Sequence, residues 1–515
     1  MQIVNIINFV RAAEPRVEDD SFLPYTLEEE LKLCEHYDFP STVLLQYDAL
    51  IKPEYTDILC RHGKKAEIGL WFEIVEPLAK ACDIPWRGRF SWDWHSDVGF
   101  LIGYTTEERK KLIDRAFDRF KEIFGYYPAV AGSWHIDAFS LRYMREKYHI
   151  VASCNCKDQY GTDGYTMWGG YWSGAYYPSV SNMFCPAADE TEQIDVPVFR
   201  MLGSDPIHQY DLGLGAPEKA QAVISLEPVY GNSGATRQWV NNFFDVVFNG
   251  KGLALSYAQM GQENSFGWDK IRDGLTMQME ELQKRLKKGD IQLLTLGEAG
   301  KLFREAYKIT PASAVCADKD TLGGNLKTVW YMSRCYRVNF LYDNKTIRLR
   351  DFFLFRSDFR EKYLDRTEDT PVCFFSNVPL TDGFRFSDRT KTAGGYFRAG
   401  EDNIPFGNSF ISEADNDTVT LKSGSDLSIT AAPEQLTIEC AVPDFTLHFS
   451  YVPREYVRYT VISPEQLDIL YYGHKESVFL AAGFFRAAAE EFEIVPENGS
   501  IIFECQATTE FRENS

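Results

Sequence analysis

The chain has few basic residues relative to acidic ones. Its 54 Lys and Arg stand against 75 Asp and Glu, which gives a formal net charge of −21. A surface of that sign repels phosphate backbones and anionic lipid headgroups, so we expect neither nucleic acid nor a membrane as a partner. No apolar run approaches the roughly 20 residues of a membrane helix. The amino-terminal stretch MQIVNIINFV lacks the basic region and cleavage site of a signal peptide, which predicts a cytoplasmic protein.

Residues that bind transition metals are sparse or scattered. The chain has eight histidines, none at metal-ligand spacing, and 11 cysteines, of which only Cys154 and Cys156 are close together. A single C-x-C pair lacks the second pair of a zinc site. His135 and Asp137 form an H-x-D that could bind a metal in an alternative interpretation, although such a pair more often orients a substrate or packs. We predict no metal, no other cofactor and reduced thiols.

The first 312 residues have the pattern of a barrel domain. The full length of 515 residues is too great for one ordinary core. Short apolar runs alternate with helix-like segments, which is typical of a parallel sheet, and seven such runs favour a (β/α)7-type barrel. The predicted strands are Ile3–Val10, Ser41–Gln46, Glu67–Phe72, Ala129–Ser133, Ile150–Cys154, Val196–Leu202 and Leu253–Tyr257.

Residues 325–515 are predicted to form a second domain, an all-β sandwich. The pattern changes to period-two runs broken by Gly, Pro, Asn and Asp, with Asp318–Gly324 as the linker and one helix near Leu480–Glu491. The predicted strands are Val329–Phe340, Thr346–Phe355, Val372–Asn377, Thr418–Lys422, Leu427–Ile438 and Phe445–Val452.

Two predicted strand ends carry a carboxylate close to a tryptophan. Asp137 ends the segment GSWHID (132–137), and Glu263 lies in GQENSFGW (261–268). Hydrolysis of a sugar acetal needs two acids, because one protonates the leaving oxygen while the other attacks carbon or activates water. The structural alternative for Asp137 is a helix N-cap, since a predicted helix follows it. Glu227 is a third candidate that could replace either member of the pair.

Aromatic residues make up 15% of the chain and are dense between Trp71 and Trp172, which suits a ligand that stacks. The long insert Trp86–Gly103 and the polar loop after the fifth strand would lie at the carboxyl ends of the strands, where barrels hold their sites. Core packing and ion pairs are the structural alternatives. The predicted substrate-binding residues are Arg11, Glu14, Trp71, Trp86, Trp94, Trp134, His135, Asp158, Gln159, Asp163, Gln262 and Trp268.

The two motifs also resemble those of family 57 glycoside hydrolases. GSWHID is similar to that family's G-x-W-x-P-E, which places Asp137 on its nucleophile, and QENSFGW is similar to D-x-E-x-F-G-x-W, which holds its general acid. The chain departs from the family in this Asp, in Gln262 at the Asp position of the second motif, and in lacking His-x-His on the first strand. The resemblance implies a barrel over residues 1–310 and retaining chemistry. A closer resemblance is to bacterial barrel-plus-β-domain proteins whose glycoside hydrolase activity is itself inferred.

Carbohydrate deacetylases share this kind of barrel and imply a different reaction. They hold a divalent metal with an Asp on strand one and an H-x-x-x-H after strand three, whereas this chain reads GLWFEIVE at 69–76. We therefore predict a bacterial glycoside hydrolase that cleaves an oligosaccharide or small glycoside with two carboxylates. A metal-dependent carbohydrate deacetylase and a non-catalytic sugar-binding protein on a decayed barrel are the alternatives. A homo-oligomer is compatible with each of them.

Overall fold

The computed structural model describes residues 1–214, 224–356, 359–388, 390–407, 409–424, 426–450, 477–480, 483–486, 491–496 and 499–505. Within these ranges, a mixed α/β barrel is followed by all-β sheets, which confirms the predicted fold class. None of the helices described is both long enough and apolar enough to cross a membrane.

The elements of the first 310 residues alternate between strands and helices as predicted, except between Ala152 and Met201, where seven strands follow one another without a helix. The strands are β1 (Gln2–Val10), β2 (Ser41–Leu45), β3 (Ala66–Trp71), β4 (Val130–Gly132), β5 (Ala152–Cys156), β6 (Gln159–Thr162), β7 (Tyr165–Trp168), β8 (Ala175–Tyr176), β9 (Pro178–Ser179), β10 (Asn182–Pro186), β11 (Val198–Met201), β12 (Ser256–Met260) and β13 (Gln292–Leu293). The helices are α1 (Phe22–Tyr37), α2 (Tyr47–Leu50), α3 (Pro53–His62), α4 (Glu76–Ala81), α5 (Ser96–Gly99), α6 (Thr106–Phe124), α7 (Ala138–Tyr148), α8 (Arg237–Val247), α9 (Trp268–Lys288) and α10 (Leu296–Ala306). Short 3-10 turns span Leu101–Gly103, Asn264–Phe266 and Lys362–Leu364.

Seven parallel strands form the barrel sheet, in the order β12-β1-β2-β3-β4-β5-β11. The two outermost strands, β11 and β12, approach each other at the seam. There the Leu202 N–H donates to Gln259 Oε1 at 2.9 Å, and the rings of Phe199 and Tyr257 lie 5.1 Å apart. The predicted strand at Leu253 starts three residues later, because Leu253 itself has a φ of 59°.

Both faces of this sheet are buried, as expected of parallel strands between a barrel interior and surrounding helices. Ile7 and Phe9 of β1 pack in one core cluster with Leu44 and Trp71, whereas Val10 packs in the outer cluster with residues of α1, α3 and α6. Capping boxes start α6 and α10, and a left-handed glycine ends α6 as its sequence predicts.

The β-domain begins at β14, which already pairs with β15, so the predicted linker is the connection between these two strands. Its strands are β14 (Ser313–Ala317), β15 (Lys327–Met332), β16 (Tyr336–Tyr342), β17 (Ile347–Leu354), β18 (Cys373–Ser376), β19 (Val378–Asp382), β20 (Gly394–Ala399), β21 (Asp402–Asn403), β22 (Ile411–Asp415), β23 (Thr418–Ser423), β24 (Leu427–Ala432), β25 (Gln435–Cys440), β26 (Phe445–Ser450), β27 (Ser477–Leu480), β28 (Gly483–Arg486), β29 (Glu491–Ile494) and β30 (Ser500–Glu504). Sheets β14-β15-β16-β17-β20-β26-β29 and β22-β23-β24-β25-β30 enclose one apolar core. The predicted helix Leu480–Glu491 is wrong where the structure describes it, because β27, β28 and β29 occupy that stretch.

The two halves of the chain are joined by backbone pairing as well as by side chains. Strand β18 runs parallel to β7 and completes a three-stranded sheet with β6. Arg337 of β16 is fully buried and pairs with Asp158 after β5 and with Asp351 of β17. The β-domain therefore buttresses the loops at the carboxyl end of the barrel.

Candidate active site

A cluster of charged side chains lies where the barrel strands end, which is the face that holds the active sites of such barrels. Arg11 follows β1, Gln46 follows β2, Glu73 lies just beyond β3, and Glu263 lies beyond β12. All four side chains are buried. The topology of the sheet thus brings together residues separated by more than 200 positions in the sequence.

Arg11 is the centre of this cluster. Its Nη2 lies 2.6 Å from Glu263 Oε2 and 3.1 Å from Glu73 Oε2, and its Nη1 lies 3.5 Å from Glu14 Oε2. Asn264 fixes the backbone at the same point, because it accepts from the Arg11 N–H at 3.0 Å and donates to the Arg11 carbonyl at 2.9 Å. One guanidinium therefore serves three carboxylates.

Glu73 accepts hydrogen bonds from four side chains. The indole of Trp71 donates to Oε2 at 2.8 Å and that of Trp134 donates to Oε1 at 3.1 Å. The Gln46 amide and the Arg11 guanidinium also donate to Oε2, at 3.2 and 3.1 Å. These four donors hold the Glu73 carboxylate in one orientation.

Aromatic rings form the floor and the cover of the cluster. Phe9 stacks on Trp71 at 4.6 Å, and Trp134 meets both rings edge-on. On the other side Trp92 covers Arg11, with its ring 4.0 Å from the guanidinium carbon. Arg16 also lies over Trp92, at 4.9 Å. These contacts exclude water from the charged groups, which strengthens the electrostatic interactions between them.

Burial raises the pKa of Glu263 to about 6. The nearby Arg11 opposes this shift by favouring the ionised carboxylate, whereas the negative charge of Glu73 adds to it and Arg16 opposes it again. A carboxyl group tuned in this way exchanges its proton near neutral pH, as a general acid or base must.

Glu227 is a second carboxyl group with a raised pKa, because burial favours its neutral form more than Lys157 favours its charged form. The Lys157 ammonium, just beyond β5, lies 3.6 Å from Glu227 Oε1. Tyr230 links this group to the cluster: burial raises its pKa to about 12, and the charges of Glu227, Asp163 and Glu263 add to the shift. The carboxylates of Glu227, Asp163 and Glu263 are thus all close enough to the exposed Tyr230 phenol to interact with it electrostatically.

Asp137 has a different set of contacts. It is the N-cap of α7, where Oδ1 accepts from the Ser140 N–H at 3.0 Å and Oδ2 accepts from the Ser140 hydroxyl at 2.7 Å. Arg109 donates to Oδ1 at 3.0 Å, and the side chain has no exposed surface. Asp137 therefore acts as a helix cap, which is the structural alternative to a catalytic role.

Several predicted substrate-binding residues pack elsewhere. The ring of His135 lies between aromatic rings, 4.3 Å from Phe100, and burial lowers its pKa to about 3. Asp158 pairs with Arg200 as well as with the β-domain, and Trp268 packs with apolar residues of α9. The cluster and its surroundings contain, from the sequence prediction, Arg11, Glu14, Trp71, Trp134, Gln262 and Glu263.

The aromatic insert lies over the cluster as expected, but its rings differ in exposure. Trp92 is buried on Arg11, whereas Trp94 stacks on the exposed Phe90 at 6.0 Å. Trp86 donates from its indole N–H to the Phe90 carbonyl at 2.8 Å. On the fifth-strand loop, Gln159 is buried in β6, and Asp163 is exposed at the turn before β7.

Sequence reasoning missed Glu73, Gln46, Arg16 and Lys157 as members of the site. Glu73 carries the same signal as the two chosen acids, since it follows a strand and stands two residues from a tryptophan. Gln46 is the last residue of a predicted strand, and Lys157 lies three residues beyond another. Arg16 has no such signal, because its position depends on the fold of the β1–α1 loop.

The cluster does not fit a divalent metal. Among the residues that the structure describes, no three His, Cys, Asp or Glu side chains are grouped so that they could hold one. The carboxylates that do converge, Glu14, Glu73 and Glu263, surround the permanent positive charge of Arg11. A guanidinium has no lone pair to offer a metal, and it repels one.

Comparison with known proteins supports the fold. A family model for a domain of unknown function with a solved structure, DUF3863, matches residues 93–315. A Parabacteroides distasonis structure described as an inferred glycoside hydrolase/deacetylase is 17% identical, with a TM-score of 0.52, over 73% of this chain and 90% of that one. At this identity the likeness shows a shared fold.

A Mycobacterium smegmatis structure described as an inferred polysaccharide deacetylase is 13% identical, with a TM-score of 0.37, over 60% of this chain and 92% of that one. A Pseudomonas aeruginosa structure described in the same way is 12% identical, with a TM-score of 0.33 and the same coverage. A search of curated proteins found no match.

Proposed function

We propose that this protein is a glycoside hydrolase in which Glu263 is the proton donor. The observation that carries the proposal is Glu263 itself: a buried carboxyl just beyond a barrel strand, with a pKa raised to about 6 by burial, 2.6 Å from the Arg11 guanidinium. A group with that pKa is protonated often enough near neutral pH to protonate a glycosidic oxygen, and its conjugate base can then accept a proton from water.

Glu227 is the second carboxylate of the proposed mechanism. A nucleophile or a general base must be ionised. Lys157, 3.6 Å from Glu227, favours that form and opposes the burial that raises the pKa of Glu227. Attack by Glu227 on the anomeric carbon would break the bond to the leaving oxygen as Glu263 protonates that oxygen. Water would then release the sugar with Glu263 as base, which is the retaining sequence of steps. Asp137 is left out of the pair, because its oxygens cap α7 and pair with Arg109.

The aromatic insert supplies the binding surface in this proposal. Phe90 and Trp94 stack with an interplanar angle of 13°, and Phe90 is exposed. Flat apolar rings pack against the C–H faces of pyranoses, while the polar groups of the cluster hydrogen-bond hydroxyls. The P. distasonis relative, described as an inferred glycoside hydrolase/deacetylase, supports a carbohydrate as the substrate class.

The test is turnover of α- and β-linked nitrophenyl glycosides, uronides included, by the wild type and by Glu263→Gln, Glu227→Gln and Asp137→Asn. We expect the first two substitutions to lower kcat/KM by about 10²-fold or more. Asp137→Asn is the matched control, because Asn caps helices as well as Asp does, and it should retain most activity. Collapse of Asp137→Asn together with normal turnover by Glu227→Gln would instead make Asp137 the partner of Glu263.

A second measurement separates the roles of the two acids. Glu227→Ala with added azide should release a glycosyl azide if Glu227 is the nucleophile, since the small anion takes the place of the missing carboxylate. EDTA should leave the activity unchanged. EDTA-sensitive release of acetate from an acetylated glycan would contradict the proposal and indicate a deacetylase. Sugar binding without any turnover would indicate a binding protein.

A further inference from the structure

The guanidinium of Arg11 contacts two carboxylates, Glu73 and Glu263, that differ in the number of their hydrogen-bond donors. Glu73 accepts from four donors, whereas Glu263 has the Arg11 guanidinium at Oε2 and a hydrogen bond from the Ser265 side chain. The ring of Trp92 covers the guanidinium that the two carboxylates share. A buried pair of like charges a few ångströms from one cation cannot keep both charges equally easily, so the group with fewer donors is the one that takes up a proton.

We infer that Arg11 and Glu73 are positioning residues that reserve the exchangeable proton of the site for Glu263. The four donors of Glu73 lie at four strand ends, and Glu73 in turn holds the Arg11 guanidinium in place. Arg11 in turn lies 2.6 Å from Glu263 Oε2, and its positive charge limits how far burial raises the pKa of that carboxyl. This inference rests on the proposed role of Glu263 and adds the two groups that set its protonation.

The geometry of Arg11 is fixed from three directions. Asn264, the neighbour of Glu263, clamps its backbone through two hydrogen bonds. Trp92 covers the face of the guanidinium, and Glu14 lies 3.5 Å from Nη1. Glu14 also accepts from Arg16 Nε at 2.7 Å, so the second arginine over Trp92 is neutralised locally. A planar fork held in this way can serve two carboxylates at once, which a lysine ammonium cannot do with the same geometry.

The other charged groups that face Glu263 are few. Arg16 lies in the β1–α1 loop, Tyr230 precedes α8, and Glu30 lies on α1. Neither side-chain oxygen of Glu30 has a hydrogen-bond partner among the described residues, and the side chain is buried. A carboxyl without donors is neutral in such a place, so Glu30 adds no negative charge next to Glu263.

The test measures the protonation of Glu263 directly, without turnover. Infrared difference spectra between the wild type and Glu263→Gln isolate the C=O band of the protonated carboxyl, which is followed as a function of pH. In Arg11→Met we expect the midpoint to rise by about one to three pH units, because an opposite charge in contact is lost. In Arg11→Lys the rise should be smaller, and in Glu73→Gln the midpoint should fall, because a like charge is removed.

An unchanged midpoint in folded Arg11→Met, or a rise in Glu73→Gln, would overturn the inference. If Arg11→Met does not fold, the direction of the shift in Glu73→Gln decides, since Gln keeps the shape of Glu. The outcome is separable from the proposed function. Shifted midpoints without hydrolysis of any glycoside would support the positioning role and count against the hydrolase, whereas glycoside turnover with unshifted midpoints would do the reverse.

Discussion

The raised pKa of Glu263 predicts that this carboxyl destabilises the folded protein at neutral pH. Its pKa is about 6 in the fold. The pKa of Glu in an unfolded chain is about 4.3, so the difference of about 1.7 units corresponds to about 2 kcal/mol. Because the folded pKa is the higher one, the contribution of Glu263 to stability is fully present below pH ~4.3 and is lost as pH rises to about 6. The glutamine in Glu263→Gln does not titrate, so this variant does not lose stability in that way as pH rises.

The assay is urea unfolding followed by tryptophan fluorescence, at intervals from pH 4 to 7.5. We expect the free energy of unfolding of Glu263→Gln, minus that of the wild type, to increase by about 2 kcal/mol across this range. Glu305→Gln, at an exposed position of α10, is the control and should show a flat difference. A flat difference for Glu263→Gln would refute the argument that burial dominates. A decrease would mean that the attraction of Arg11 outweighs it.

Substitutions at three further positions test the contribution of buried charges to stability by urea unfolding. Asp137→Ala should destabilise by about 3 kcal/mol or more, since it removes a cap and leaves Arg109 buried without its carboxylate, whereas Asp137→Asn should cost less. Arg337→Met should cost about 3–5 kcal/mol, because buried Asp351 loses its cation and buried Asp158 keeps only Arg200. A cost below about 1 kcal/mol would contradict the assigned pairing. Glu30→Leu should stabilise, by an amount that grows as pH rises, because burial and then the charge of Glu263 raise the pKa of Glu30. A gain that does not change with pH would contradict that reasoning.

The barrel could be predicted from the sequence because its strands are short, mostly apolar and largely buried. Each of the seven predicted runs corresponds to a strand of the sheet, within a few residues. The ends of the strands and helices were harder to predict, since they depend on local backbone geometry. Thr26 and Glu29, for example, have the spacing of a capping box but lie inside α1, which begins four residues earlier at Phe22. The run after Leu480 has helical spacing, but the residues of it that the structure describes form strands β28 and β29, and β29 pairs with β26.

The candidate site was only partly predictable, because its chemistry is decided by contacts between distant segments. Glu263 could be found from a carboxylate at a strand end near a tryptophan. The same rule selected Asp137, although the helix that follows uses that side chain as its cap. Nothing in the local sequence shows that Arg11 would be shared by Glu73 and Glu263, since that depends on the order of strands around the barrel.

The pairing of β7 with β18 has a consequence for how the protein is made. Asn377, just after β18, donates to the carbonyl of Gly169, just after β7, across 208 residues of chain. During synthesis the barrel leaves the ribosome first, yet its upper loops gain this strand and the Arg337 ion pairs only when much of the β-domain has followed. Contacts so far apart in sequence slow folding, and transiently unpaired strand edges favour aggregation. In a nascent barrel Asp158 would therefore have Arg200 but not Arg337 as its cation. Recombinant fragments ending near residue 312 should be recovered mainly as insoluble material.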